Sequence, residues 1–259
     1  MAFMDVIAHR GLAGTYGGGN TVRSILAAVD AGADGVAVDL RVSSDGIVVL
    51  AGKPHIADVA GTRVAVSTTS WRVLRGVAAG SGRPLIRLTD ALPALDACRQ
   101  VILQVQAPAV AAGSARAESD RVAAVIAGEL AVLVPSLLHT RVTVASADTA
   151  LLAQLRDLIG RVIPARYALL GRSLPVADLL VAARLGNLDE IHPAVSDLRQ
   201  AHAGALAEAR VAGVAIAAWS VNGHAELLLC ARTGVSAVVT DDPIGARQAL
   251  RWLAAPIPG

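Results

Sequence analysis

The sequence has few cysteines, little net charge and an almost complete absence of lysine, and these shortages exclude several classes of protein. Cys98 and Cys230 lie far apart and lack metal-binding spacing, so we expect two buried thiols in a reducing compartment. The net charge is +2 and the sequence pI is near 8.8, reflecting a slight arginine excess without a basic stripe. A nucleic-acid partner is therefore not expected. Lys53 is the one lysine, and no glutamate precedes Glu118.

Long uninterrupted apolar runs are also missing, although the mean hydropathy is +0.55. The most apolar stretch, residues 122–138, is broken by Gly128, Glu129 and Pro135. A membrane-spanning helix needs roughly 18 or more consecutive apolar residues, so no membrane span is predicted. The first apolar run starts at Val6 without a basic flank, which argues against a secretory leader. We therefore expect a cytoplasmic protein.

Strand-like and helix-like segments alternate along the chain. Eight main strand candidates are each followed by a helical pattern, and several of them are short continuous apolar runs typical of parallel strands. This repetition favours a closed (β/α)8 TIM barrel over its main competitor, an open doubly wound sheet. We expect residues 1–259 to form one domain, with residues 51–82 as a small insertion after the second strand. The strand candidates are residues 5–8, 35–40, 101–106, 141–145, 161–165, 188–192, 214–221 and 237–240.

Several short motifs follow the predicted strands. They read IAHRG at 7–11, GNT at 19–21, GADGVAVDL at 32–40, SDG at 44–46, AWSVN at 218–222, GV at 234–235 and TDDP at 240–243. Together they resemble the glycerophosphodiester phosphodiesterase family, whose motifs are roughly HRG, ENT, GAD-x-x-E-x-D, a DG turn, HD, E-x-K, W-T-V-N and T-D-x-P. The resemblance runs from about Asp5 to Pro243, nearly the whole chain.

The resemblance implies a TIM barrel with a phosphodiesterase site at the carboxyl ends of its strands. In that family a divalent cation polarises a phosphoryl oxygen, and two histidines serve as acid and base. By resemblance His9 takes an acid/base role and Arg10 holds the phosphate, which suits a planar cation with several donors. Asn20 and Trp219 are the further substrate-binding candidates. Asp39 is the candidate ligand for Mg²⁺ or Ca²⁺.

Other reactive positions of the family are vacant in this chain. Glycine or alanine stands at the positions of the ENT glutamate, the E-x-D glutamate and both HD residues. Glutamines stand at the positions of the glutamate and lysine of E-x-K. A site with one carboxylate should bind a hard divalent cation weakly. Loss of one acid/base partner alone costs about 10²- to 10⁴-fold in rate. The vacant positions are Gly19, Ala37, Ala51, Gly52, Gln104 and Gln106.

Three functional hypotheses follow. The first is a pseudoenzyme of this family, catalytically impaired or inactive, that keeps a barrel mouth for a phosphate-bearing or polyol ligand and needs no cofactor. The second is an active phosphoric diester hydrolase of lipid metabolism that uses Mg²⁺ or Ca²⁺, with His9 and a substitute partner such as His55. The third is an interaction or scaffold protein, and apolar helix faces would allow a homo-oligomer under any of the three.

Structural roles compete with these functional ones at several positions. Arg10 could pair with Asp39, because a buried carboxylate needs a partner. Trp219 could either stack on a ligand or pack in the core. Asn222 and Asp241 are expected to fix loops or cap the following helix, and His192 is expected to be structural.

Overall fold

The computed structural model describes residues 4–14, 18–108, 115–137 and 139–254. Strands and helices alternate through these ranges, as the sequence patterns predict. In chain order the elements are β1 (Asp5–His9), α1 (Val22–Asp30), β2 (Gly35–Val42), β3 (Val48–Leu50), β4 (His55–Ala57), β5 (Arg63–Ala65), α2 (Trp71–Gly80), α3 (Leu88–Asp96), β6 (Gln100–Val105), α4 (Ala115–Leu133), β7 (Arg141–Ser146), α5 (Thr149–Ile159), β8 (Ala165–Leu170), α6 (Val176–Leu185), β9 (Glu190–His192), α7 (Val195–Arg199), α8 (Ala203–Val211), β10 (Ala215–Ala218), α9 (His224–Thr233), β11 (Ala237–Thr240) and α10 (Pro243–Ala254).

Eight parallel strands close into a barrel. Their order around it is β1, β2, β6, β7, β8, β9, β10 and β11, and β1 pairs with both β2 and β11. Helices lie between successive strands, so the predicted (β/α)8 fold is confirmed.

Two predicted boundaries are wrong. The fifth barrel strand was expected at residues 161–165, but it begins at Ala165 and ends at Leu170. Pro164 has no N–H to donate to a neighbouring strand, and Ile163 packs instead into the apolar layer outside the barrel. The seventh strand candidate, residues 214–221, is too long, because β10 begins at Ala215 and ends at Ala218.

The predicted insertion is present after the second barrel strand. β3 pairs antiparallel with β2, and the β4–β5 hairpin and α2 follow it. This segment has its own small apolar cluster, which includes Val49, Val66 and Leu74. The assignment of residues 1–259 to one domain stays a prediction.

Alternation along the strands separates the two faces of the barrel wall. In β2, Val36, Val38 and Leu40 pack outward against helices, so Ala37 and Asp39 point into the barrel. The apolar part of the interior is built mainly from small and medium side chains. These are Ile7, Ala37, Ile102, Ala145, Ala168, Leu170, Ala217, Ala237 and Val239.

In the part of the chain that the structure describes, no helix combines the length and apolar character needed to cross a membrane.

Candidate active site

The predicted site residues lie at the carboxyl ends of the barrel strands, the end that carries active sites in this fold. His9 is the last residue of β1 and Arg10 follows it, whereas Asp39 lies within β2. Asn20 comes two residues before α1, and Trp219 comes directly after β10. We call this end of the barrel the mouth.

Asp39 is the centre of a hydrogen-bonded network at the mouth. Its side chain is 2% exposed. Its Oδ2 accepts hydrogen bonds from Arg10 Nε at 2.6 Å and from Asn20 Nδ2 at 3.1 Å. Its Oδ1 accepts one from Gln106 Nε2 at 2.7 Å. The buried charge is thus matched by one guanidinium and two amides, which confirms the expected pairing of Arg10 with Asp39.

The loop that presents Arg10 is held in an uncommon backbone conformation. Arg10 and Asn20 have positive φ angles of 61° and 62°, a region that costs a residue with a side chain about 1–2 kcal/mol. The loop is fixed by bonds from Arg10 N–H to the Ala37 carbonyl and from Asn20 N–H to the Arg10 carbonyl. The Ser24 hydroxyl, in the first turn of α1, also donates to the Arg10 carbonyl. These bonds hold the guanidinium over Asp39.

Two of the vacant family positions are glycines that lie directly against Arg10. A Cβ on Gly19 would be 2.4 Å from Arg10 Cβ, and a Cβ on Gly52 would be 2.7 Å from Arg10 Cζ. The same atom on Gly52 would be 2.8 Å from Asp39 Oδ2. Real Cβ contacts are essentially never this short. Arg10 therefore occupies the space that a side chain at either position would need, and at Gly52 Asp39 occupies it as well.

His9 takes part in a second polar group beside Asp39. Its Nδ1 lies 2.8 Å from Asp241 Oδ1, and Asn222 Nδ2 donates to Asp241 Oδ2 at 2.8 Å. Burial tends to raise the pKa of Asp241, but the hydrogen bonds from Asn222 and His9 outweigh it and hold the pKa below its ordinary value. An ionised carboxylate on Nδ1 orients the imidazole and leaves Nε2 as the ring nitrogen for proton transfer.

Trp219 covers the apolar interior of the barrel. Its ring packs on the interior cluster that includes Leu170 and Ala217, and its Nε1 donates to the His192 carbonyl at 2.8 Å. His192 itself is fully buried, and its Nε2 contacts Glu190. The burial and contact of His192 agree with the expected structural role, which stays a prediction, and for Trp219 core packing is the contact that the structure describes.

Asn222 and Asp241 are joined by a second hydrogen bond. The Asn222 side-chain carbonyl accepts a hydrogen bond from the Asp241 N–H at 2.8 Å, so the loops after β10 and β11 are joined. The expectation that these two residues fix loops is confirmed. Helix α9 begins at His224 and is capped instead by Glu226, whose carboxylate accepts hydrogen bonds from the N–H groups of Asn222 and Gly223.

Two arginines that the sequence analysis did not single out also belong to the mouth. Arg172 Nη2 donates to Gln106 Oε1 at 3.2 Å, so Gln106 connects Arg172 to Asp39. Arg41 Nη2 donates to the Gly52 carbonyl at 3.4 Å. Strand alternation could have revealed Arg41, because it lies two residues beyond Asp39 and faces the same side of β2.

The mouth residues do not fit a divalent cation of the kind that the family chemistry implies. Hard cations take six or more oxygen ligands, commonly several carboxylates. Asp39 is engaged by three donors, and two of its neighbours are Arg10 and Arg41. Over residues 4–14, 18–108, 115–137 and 139–254, no group of three or more His, Cys, Asp and Glu side chains is placed to hold a metal ion.

Comparison with protein families gives a clear result. Residues 9–244 match the sequence model of the glycerophosphoryl diester phosphodiesterase family. The chain belongs to this family. The matched region begins at His9 and ends just after Asp241, so it includes the polar residues of the mouth. Comparison with curated proteins finds no match.

Solved structures of glycerophosphodiester phosphodiesterases share the fold. One from Parabacteroides distasonis is 19% identical, with a TM-score of 0.80 and coverage of 97% of this chain and 98% of that one. An Oleispira antarctica phosphodiesterase in complex with the product sn-glycerol-3-phosphate is 19% identical, with a TM-score of 0.78 and coverage of 95% and 96%. At this level of identity the likeness establishes the barrel and not the chemistry.

His55 was the candidate substitute for the missing HD histidine. Among the described residues, the structure shows no contact between His55 and His9. His55 begins β4 in the insertion, and its Nδ1 lies 3.2 Å from Arg63 Nη2 across the hairpin. At the HD position itself, the N–H of Ala51 donates to the Asp39 carbonyl.

Proposed function

We propose that this chain is a catalytically impaired or inactive glycerophosphoryl diester phosphodiesterase family protein whose barrel mouth binds a phosphate-bearing small molecule. The observation that carries the proposal is the state of Asp39. The charge of its carboxylate is balanced by Arg10, and its oxygens also accept hydrogen bonds from the amides of Asn20 and Gln106. An anion is therefore a better ligand for this mouth than a divalent cation.

Phosphate binding is supported by the arginines and by the fold relationship. Guanidinium groups form strong hydrogen bonds with phosphate oxygens, often in pairs. Arg10 is 36% exposed, so it can be reached from solvent while Asp39 is buried beneath it. The relative from Oleispira antarctica holds sn-glycerol-3-phosphate. We propose that this chain takes the same class of ligand, with Arg10 and Asn20 shaping the site and Trp219 covering its floor.

Impaired hydrolysis is supported by what surrounds the vacant positions. A glutamate at residue 19 or an aspartate at residue 52 would collide with Arg10 in the present arrangement. Arg10 lies in the space that a side chain at either glycine would enter. Without a well-bound cation the phosphorus centre loses several kcal/mol of charge stabilisation in the transition state.

An active phosphoric diester hydrolase is the second candidate, because His9 and Asp241 form an oriented pair. A histidine whose Nδ1 is bonded to a carboxylate is a common acid/base arrangement. In this hypothesis Nε2 of His9 would protonate the leaving oxygen. The interaction-platform hypothesis, the homo-oligomer, lipid metabolism and the cytoplasmic location stay predictions.

The two candidates differ in turnover. Purified protein is assayed with glycerophosphocholine in Mg²⁺ or Ca²⁺, beside a His9→Ala variant and an active family enzyme. We expect hydrolysis at background level for both forms, together with calorimetric binding of sn-glycerol-3-phosphate. Turnover that disappears in His9→Ala would establish the active enzyme, and failure to bind any phosphate compound would refute the phosphate-binding mouth.

A further inference from the structure

Three arginines surround the Asp39–Gln106 pair, and among the residues that the structure describes only Arg10 has a carboxylate partner. Arg10 forms an ion pair with Asp39. Arg41 and Arg172 form no ion pair with any described residue, and their hydrogen bonds go to neutral oxygens. The mouth therefore carries two guanidinium charges beyond the Arg10–Asp39 pair.

Shared neighbours place these charges close together. The Arg10 guanidinium lies over Gly52, and the carbonyl of Gly52 accepts from Arg41. Gln106 accepts from Arg172, and the carbonyl of Ala107 accepts from Arg41 Nη1 at 3.4 Å. Burial lowers the pKa of Arg41, and the charge of Asp39 opposes this effect. The charges of Arg172 and Arg10 lower the pKa further, as expected for guanidinium groups within Coulomb range of one another.

Arg41 also keeps an unused donor. Its Nε is buried and has no hydrogen-bond partner within the described residues. A buried donor without a partner costs free energy, so a ligand that supplies acceptor oxygens at this point would recover it. The bonds of Arg41 to the carbonyls of Gly52 and Ala107 are both 3.4 Å, which is long for N–H···O hydrogen bonds.

We propose that Arg41 and Arg172 form, around Gln106, a metal-independent binding site that selects a phosphate monoester over a phosphate diester. The reason is charge. A monoester carries close to two negative charges at neutral pH, whereas a diester carries one. Two unpaired guanidiniums match the dianion and its three terminal oxygens. This inference rests on the proposed phosphate-binding function and specifies its ligand class.

In terms of the family reaction, this mouth would prefer the product type over the substrate type. The mouth would retain a molecule of the product type, a glycerol phosphate or another phosphomonoester, and would bind the diester substrate type less well. Arginine would supply the positive charge that a cation supplies elsewhere, so binding would not require Mg²⁺ or Ca²⁺.

A matched pair of ligands tests the proposal. Calorimetry compares sn-glycerol-3-phosphate with its methyl ester, which keeps the glycerol and removes one negative charge. Measurements are made on the full chain in EDTA and again in Mg²⁺. We expect the monoester to bind at least about 10-fold more tightly in both buffers, since a charge-assisted hydrogen bond contributes about 10- to 100-fold. Equal affinity, or binding that EDTA abolishes, would overturn the proposal.

Variants then assign the selectivity to the arginines. Arg172 is exposed, so Arg172→Gln should fold normally and lose about 10-fold in monoester affinity, with little change for the methyl ester. Arg172→Lys should recover part of the loss, and Arg232→Gln on the exposed face of α9 serves as the control. Unchanged selectivity in Arg172→Gln and Arg41→Gln would refute the assignment. If neither ligand binds the wild type, the proposed phosphate-binding function fails first, and this outcome is distinct from equal binding of both.

Discussion

Nε2 of His192 lies 2.8 Å from Oε2 of Glu190 inside the barrel, where the two side chains are 0% and 6% exposed. Glu190 also contacts Arg166 Nε at 3.0 Å and accepts from the Thr143 hydroxyl at 3.4 Å. Burial tends to raise the pKa of Glu190, but the hydrogen bond and charge of His192 and the charge of Arg166 outweigh it. The pKa is therefore held below its ordinary value of 4.5.

This carboxylate should control stability in acid. Because the folded pKa is lowered, ionised Glu190 contributes stability above about pH 4.5, and this contribution is lost as the pH falls below that value. Glu190→Gln should lose about 2–3 kcal/mol of unfolding free energy at pH 7, the size of a charge-assisted hydrogen bond. Its further loss between pH 5 and pH 3 should be smaller than that of the wild type. Urea titrations at several pH values measure both effects.

Glu208→Gln provides the matched control, because Glu208 and Arg184 form an ion pair in which each side chain is more than half exposed. Its unfolding free energy should change by less than about 1 kcal/mol. Similar losses of unfolding free energy in the two variants would show that the burial of Glu190 does not increase its contribution to stability.

The glycine of the HRG motif should be required for packing as well as for backbone conformation. Gly11 has a φ of 76°, and an added Cβ would lie 2.4 Å from the Ser24 carbonyl in α1. Gly32 has a similar φ of 78° but open space around it. Gly32→Ala should cost about 1 kcal/mol from strain alone, and Gly11→Ala at least about 2 kcal/mol more. Thermal or urea unfolding compares them, and equal costs would exclude the steric effect.

Arg10 and Gly52 should be energetically coupled. Gly52→Ala would push the guanidinium away from Asp39 and should cost about 1–2 kcal/mol. When Arg10 is already replaced by alanine, most of this cost should disappear. A double-mutant cycle on unfolding free energy should therefore give a coupling of about 1 kcal/mol. Additive effects, within about 0.3 kcal/mol, would contradict the contact.

Both thiols should be inert in the folded protein. Burial raises the pKa of Cys98 to about 12, and burial followed by the charge of Glu226 raises the pKa of Cys230 to about 12. At pH 8 almost no thiolate is present, and the side chains are shielded. Iodoacetamide labelling followed by mass spectrometry should modify neither residue in native buffer and both in denaturing urea. Rapid native labelling of either cysteine would show that it is accessible.

The barrel could be predicted because its pattern is repeated. Eight apolar strands, each followed by a helical segment, leave few alternatives once helices must cover a parallel sheet. The fifth strand was misplaced because Val162 and Ile163 resemble a strand by composition, whereas Pro164 interrupts strand pairing and Ile163 packs outside the barrel. Local propensity did not distinguish the loop from the strand.

The site could be predicted only in part. The pairing of Arg10 with Asp39 could be anticipated as one alternative from the sequence, since a buried carboxylate needs a partner. The contact of His9 with Asp241 spans 232 positions and depends on closure of the barrel, so neither neighbourhood reveals it. Arg172 belongs to the mouth through its contact with Gln106, which depends on how the loop after β8 folds.

Joining β1 to β11 has a consequence for the order of events during synthesis. Ala8 pairs with Thr240, so the seam cannot form until the chain through Thr240 has left the ribosome. Contacts of such long sequence separation form late and slowly. His9 thus has no Asp241 partner until β11 has been synthesised, and the nascent barrel stays open on one side until that strand pairs with β1.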